Sequence, residues 1–110
     1  MDCCCKSGKT SEIKIEGDVS ADPIWCKNCG CNLDLDESPV SAELKDKLSR
    51  WALTYGKWID WNKGSLLANG LELEKEFNQV GLLLTEEVKH ELKDQYNVTY
   101  SPSSSSRYYL

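Results

Sequence analysis

The sequence predicts a small α+β domain: an N-terminal β element, two antiparallel amphipathic helices and a short C-terminal strand. Three observations carry this reading. Ile13 and Ile15 alternate with charged neighbours in "SEIKIEGDVS", the period-2 pattern of a half-buried strand. Farther along, apolar residues recur every three or four positions over two long stretches, each marking one face of a helix. Six cysteines fall in two clusters before residue 32, where a small β element needs a staple. The reading divides the chain into residues 1–38 as the β element, 39–100 as a helical hairpin plus final strand packed with it as one domain, and 101–110 as a mobile tail.

The strand of residues 12–16 stops at Gly17-Asp18, a turn signal. Pro23 breaks the chain, and "IWC" returns as a second strand into the cysteine-rich turn. "LDLDESP" alternates again before Pro39. The first helix follows: Leu44, Leu48, Trp51, Tyr55 and Trp58 form one stripe. Ser41 is placed as its N-cap, with Glu43 favouring the helix dipole, and Gly64 in "NKGS" as its stop. Asn69-Gly70 marks the second start. Leu73, Phe77, Val80, Leu84, Val88 and Leu92 make the second stripe. Gly81 within it costs about 1 kcal/mol relative to Ala, which close approach of the first helix offsets. "YNVTY" reads as a final strand able to pair with residues 12–16. "SPSSSSRYYL" is low in complexity.

The cysteines carry the chemistry. Cys26-Lys27-Asn28-Cys29-Gly30 places two thiolates two residues apart, so one ion can be held from a tight turn. Gly30 permits the positive φ of that turn, Leu33 packs beneath it, and Trp25 shields it. The stretch resembles the CxxCGxxL knuckle of zinc ribbons and rubredoxin-like folds, a resemblance covering residues 3–33. It implies a zinc-ribbon-like β element and a structural Zn2+. The helical part is similar to that of small bacterial proteins of an uncharacterised family, a similarity that implies no activity.

A four-coordinate ion needs two more ligands, and only "CCC" at 3–5 supplies them. Cys3 and Cys5 point to one side of an extended segment, which favours Cys3, Cys5, Cys26 and Cys29 as the metal ligands. Cys4 in place of either early ligand is the fallback, and Cys31 is a further substitute. Three other readings of the clusters stand beside zinc: a redox- or metal-sensing thiol group, unligated thiols, and acylation near the terminus.

Function classes narrow from charge and motif. The formal net charge is -5 and is spread along the chain, which opposes broad contact with nucleic-acid phosphates or an anionic membrane. No apolar run resembles a signal peptide or a membrane span. The expectation is therefore a cytoplasmic chain whose thiols stay reduced. No phosphate-binding loop, nucleophile elbow or HExxH helix is present, so no enzyme is expected. His90, the only histidine, falls on a solvated helix face, as do the charges of "ELEKE" and "EEVKHELKD". Trp51, Tyr55 and Trp58 lie on the core stripe. Asp60 and Trp61 fall past it and are the candidate partner-binding residues.

A closed Cys4 site has no open position for water and so staples rather than catalyses. The sequence thus points to a non-enzymatic, acidic protein-interaction or regulatory module of inhibitor or immunity type. Its charge suits a basic protein partner. The alternatives are a nucleic-acid-binding zinc ribbon, using Lys6, Lys9, Lys14 and Lys27, and a thiol-based redox or metal-sensing switch.

Overall fold

A computed structural model describes residues 1–110. Three short N-terminal strands, β1 (Glu12–Ile15), β2 (Ile24–Cys26) and β3 (Asn32–Leu33), come first. They are followed by helix α1 (Ala42–Ala52), a hairpin of β4 (Ile59–Asp60) and β5 (Ser65–Leu66), helix α2 (Gly70–Leu92) and strand β6 (Asn97–Tyr100). The main sheet has the order β3-β2-β1-β6. β1 pairs antiparallel with β2 and parallel with β6, with Ile13 opposite both Cys26 and Val98. The α+β architecture and the return of "YNVTY" onto residues 12–16 match the sequence expectation.

The alternation of β1 sends Ile13 and Ile15 into the core, where neither exposes any surface. The helices cover this face of the sheet. They run antiparallel: Ser41 at the start of α1 bonds Glu91 near the end of α2, Lys47 pairs with Glu87, and the Trp51 indole donates to the Phe77 carbonyl at 2.9 Å. Ser41 is the N-cap of α1, its Oγ accepting from the Leu44 N–H. At the helix crossing, a Cβ added to Gly81 would lie 2.5 Å from Trp51 Cζ2 and 2.5 Å from Tyr100 Oη. The glycine is what lets the Trp51 ring pack onto α2, so the expected close approach is observed.

Two local expectations are corrected. Helix α1 ends at Ala52, well before Gly64. The Thr54 hydroxyl bonds the Trp51 carbonyl, and Gly56 takes a φ of +85°; both turn the chain out of the helix. Trp58 still reaches the core with no exposed surface, but from a turn leading into the β4–β5 hairpin. Val80, placed on the α2 stripe, is 45% exposed, while Thr85 and Gly81 take up the buried face.

The Ser-rich segment 101–110 carries contacts that its composition does not signal. Glu74 on α2, read as part of a solvated charge run, is buried. Its carboxylate accepts hydrogen bonds from Ser106 Oγ at 2.6 Å, Ser103 Oγ at 2.8 Å and the Ser106 N–H at 3.1 Å. A buried carboxylate must be hydrogen-bonded to be tolerated. The serines do that.

Candidate metal centre and its surroundings

The metal candidate is assembled by two turns that meet at the end of the sheet. In the first, residues 3–8 loop so that the Cys3 N–H bonds the Gly8 carbonyl and the Gly8 N–H bonds the Cys5 carbonyl. In the second, the knuckle after β2, the Gly30 N–H returns to the Cys26 carbonyl and Gly30 takes a φ of +76°. That left-handed conformation is cheap only for glycine. The β1–β2 hairpin brings the two turns together, as its register places Ile13 beside Cys26.

The result is a cluster of four sulfurs. Sγ of Cys3, Cys5, Cys26 and Cys29 lie within 4.8 Å of one another. Cys5 and Cys26 Sγ are 3.7 Å apart, close to the roughly 3.8 Å edge of a tetrahedron built on zinc–sulfur bonds of about 2.3 Å. Cys26 is buried, Cys3 and Cys5 half-buried and Cys29 exposed. The cluster is geometrically capable of chelating a metal ion.

Its electrostatics are those of crowded thiols. Burial alone pushes the Cys26 thiol up, but the Thr10 hydroxyl and the backbone N–H groups of Cys29 and Asn28 outweigh it and hold the group at about 6. Cys5 moves the other way. Hydrogen bonds with Cys3, Cys29 and Cys26 hold its proton and push it up to about 12. The backbone donors at the knuckle thus favour a thiolate at Cys26, the form in which cysteine binds metal.

Cys4 and Cys31 are not spare thiols. They form a disulfide with Cα atoms 6.0 Å apart, within the span such a bond needs. The expectation that every thiol stays reduced is corrected at this pair. Gly30 turns the chain back at a φ of +76°, and Cys31 just after it meets Cys4 of the N-terminal turn. Neither fallback ligand belongs to the four-sulfur cluster. Trp25 is also displaced from its expected role. It pairs with Lys14 across the outer face of β2, and its indole donates to the Glu16 carbonyl, whereas Cys26 points inward.

The other named residues lie elsewhere. Asp60 is half-buried on β4, its Oδ1 accepting from the N–H groups of Asn62 and Lys63. Trp61, at the tip of the hairpin, is 57% exposed. His90 is exposed on α2. Of the four lysines offered to nucleic acid, Lys9 pairs with Asp2 and Lys14 with Glu16.

A family model of Serratia CdiI immunity protein-like chains matches residues 11–103. This chain belongs to that family. The matched span of this immunity-protein-like chain includes Cys26 and Cys29 and begins after Cys3 and Cys5. Membership bears out the expectation of a non-enzymatic protein. No curated protein sequence matches the chain. No helix is long and apolar enough to cross a membrane.

Proposed function

We propose that this chain is a zinc-stapled immunity-type module that acts by binding a protein partner. The observation that carries the interaction reading is the family match over residues 11–103. The net charge of -5 supports a basic partner, since opposite charge speeds association. The four sulfurs support Zn2+ held by Cys3, Cys5, Cys26 and Cys29: thiolates are soft ligands and zinc prefers four of them in a tetrahedron. With all four positions filled by protein, the ion fixes the N-terminal turns to the sheet and offers no site for water.

The test is a pull-down from the native cell with the tagged chain, followed by titration calorimetry with the purified partner. A stoichiometric complex, with suppression of whatever harmful activity the partner has, is expected. Retention of DNA or RNA instead, with strong salt dependence, would favour the nucleic-acid reading.

A second reading has one observation in its favour. The Cys4–Cys31 disulfide lies in the same two turns as the four-sulfur cluster, which suits a thiol-based switch. That reading expects zinc retention to change when a dithiol reductant opens the Cys4–Cys31 disulfide, and expects the dependence on reductant to disappear in Cys4→Ser or Cys31→Ser.

A further inference from the structure

Three of the most exposed large apolar side chains gather around one concavity. Leu53, immediately after α1, is 81% exposed, Val19 in the β1–β2 loop 58% and Trp61 57%. All three line a depression of about 420 Å³. Its only charged lining residues are Asp18 and Asp22. Hydrophobic side chains scattered singly on a surface need no explanation, but a cluster rimmed by polar groups marks an interaction site.

The cluster is also held in place before any partner arrives. Trp61 lies over the backbone of Gly56, where an added Cβ would come within 2.8 Å of its Cζ2. Its other flank meets Tyr109, ring centroids 6.1 Å apart in an edge arrangement. Asp60 closes the hairpin turn that carries it, through the Asn62 and Lys63 N–H groups. Asp22 ties the facing loop to the Leu35 N–H. An aromatic fixed in this way loses little conformational entropy on binding.

A larger groove between α1 and α2 is a weaker candidate. Its rim holds Lys47, Arg50 and Lys57, but Lys47 is paired with Glu87 and Glu43, and Arg50 with Asp46. Its floor is closed by Trp51, Trp58 and Phe77, which expose almost nothing. Its remaining charges, Lys57 and Glu76, are of opposite sign, and Val80 is its one exposed large apolar side chain, so it offers fewer anchors and no single sign of charge.

We propose that the Leu53–Val19–Trp61 concavity is the docking surface for a basic protein partner. It would seat an apolar side chain of that partner among the three hydrophobics, with flanking Lys or Arg facing Asp18 and Asp22. The proposal rests on the partner-binding reading above and assigns that reading its surface. Leu53 and Trp61 supply the buried contact, Asp18 and Asp22 the selection by charge, and Asp60 acts only by positioning Trp61.

The test places a photo-reactive benzoylphenylalanine at Ser49, an exposed lining position, and in a second protein at Leu83, an exposed site on α2. Both are irradiated in the native cell. The protein captured is purified, and its affinity is measured for the wild type, Leu53→Asp, Trp61→Ala, Asp18→Lys and Leu83→Asp. The expected result is cross-linking from position 49 to a segment with an apolar residue flanked by Lys or Arg. Leu53→Asp and Trp61→Ala should each weaken binding at least tenfold, Asp18→Lys severalfold, and Leu83→Asp less than twofold. All the replaced side chains are exposed, and thermal melts check that each variant folds. Cross-linking from position 83 alone, wild-type affinity in Leu53→Asp, or a captured segment that is acidic would overturn this surface while leaving the partner-binding reading standing. Failure of the wild type to form any protein complex would overturn both.

Discussion

The two ends of this molecule solve the same problem by different means. The helical hairpin is held by dispersion and burial: Trp51 stacks on Phe77 with centroids 4.4 Å apart, Trp58 packs tilted against the same ring at 5.1 Å and Tyr55 edgewise at 5.8 Å. The N-terminal β element has strands of four, three and two residues, too short to hold their connecting turns by ladder bonds alone. There the chain uses sulfur. A disulfide joins Cys4 to Cys31, and a four-thiol cluster capable of chelating a metal brings Cys3 and Cys5 beside Cys26 and Cys29. Where a core is large enough, apolar contacts suffice. Where it thins out, cross-links replace them.

This contrast predicts different responses to mutation. Trp51→Ala should be the most damaging single change in the hairpin, because it removes the Phe77 stack, the hydrogen bond to the Phe77 carbonyl and the ring that fills the space beside Gly81. A loss of about 4 kcal/mol is expected by urea denaturation, with the metal content of the folded fraction unchanged. If Trp51→Ala abolished metal binding in protein that still folds, the two ends would not be separable.

The β element should instead show redundancy between its cross-links. In the chain-entropy account, a disulfide spanning 27 residues contributes about 3.5 kcal/mol. A metal held by Cys3, Cys5, Cys26 and Cys29 closes nearly the same loop, so the second closure adds little. Replacing Cys4 and Cys31 together by Ser should cost about 3 kcal/mol in chelator-treated protein and less than about 1 kcal/mol in zinc-loaded protein. Equal costs with and without metal would mean that the two cross-links do not share a loop.

The smallest of these effects should come from Gly81→Ala. Alanine is the better helix former by about 1 kcal/mol. Its Cβ, however, would meet Trp51 and Tyr100 at 2.5 Å, and overpacking of that kind costs about 1–3 kcal/mol. The expected net change is a destabilisation of about 1 kcal/mol in thermal or urea melts. A stabilised variant would show that the Trp51 contact yields easily and that the hairpin is less tightly packed than its geometry indicates.

The sequence was most legible where periodicity and burial coincide. Ile13 and Ile15 announce β1 because one face of that strand is wholly buried, and Ser41 announces α1 because its hydroxyl has one local task. The four cysteines brought together were also recoverable, since a CxxCG turn and the spacing of Cys3 and Cys5 each constrain where sulfur can point. Periodicity misled at Trp58: a three-residue step looks like a continuing helix even when Gly56 has already turned the chain. Glu74 reads as solvated because its hydrogen-bond donors come from Ser103 and Ser106, some thirty residues away. The Cys4–Cys31 pairing was hidden for the same reason, as it depends on the return made at Gly30. The role of Trp25 failed on strand alternation, which puts it on the face opposite Cys26.

The central claim is that sulfur chemistry at one end of the fold is a metal staple made by four particular cysteines. Metal content measured by mass spectrometry tests it most directly, on the wild type and on each Cys→Ser variant prepared without chelators. One zinc per chain is expected in the wild type, lost in Cys3→Ser, Cys5→Ser, Cys26→Ser and Cys29→Ser and kept in Cys4→Ser and Cys31→Ser. Sub-stoichiometric zinc in the wild type, or zinc lost with Cys31→Ser and kept with Cys5→Ser, would contradict the account.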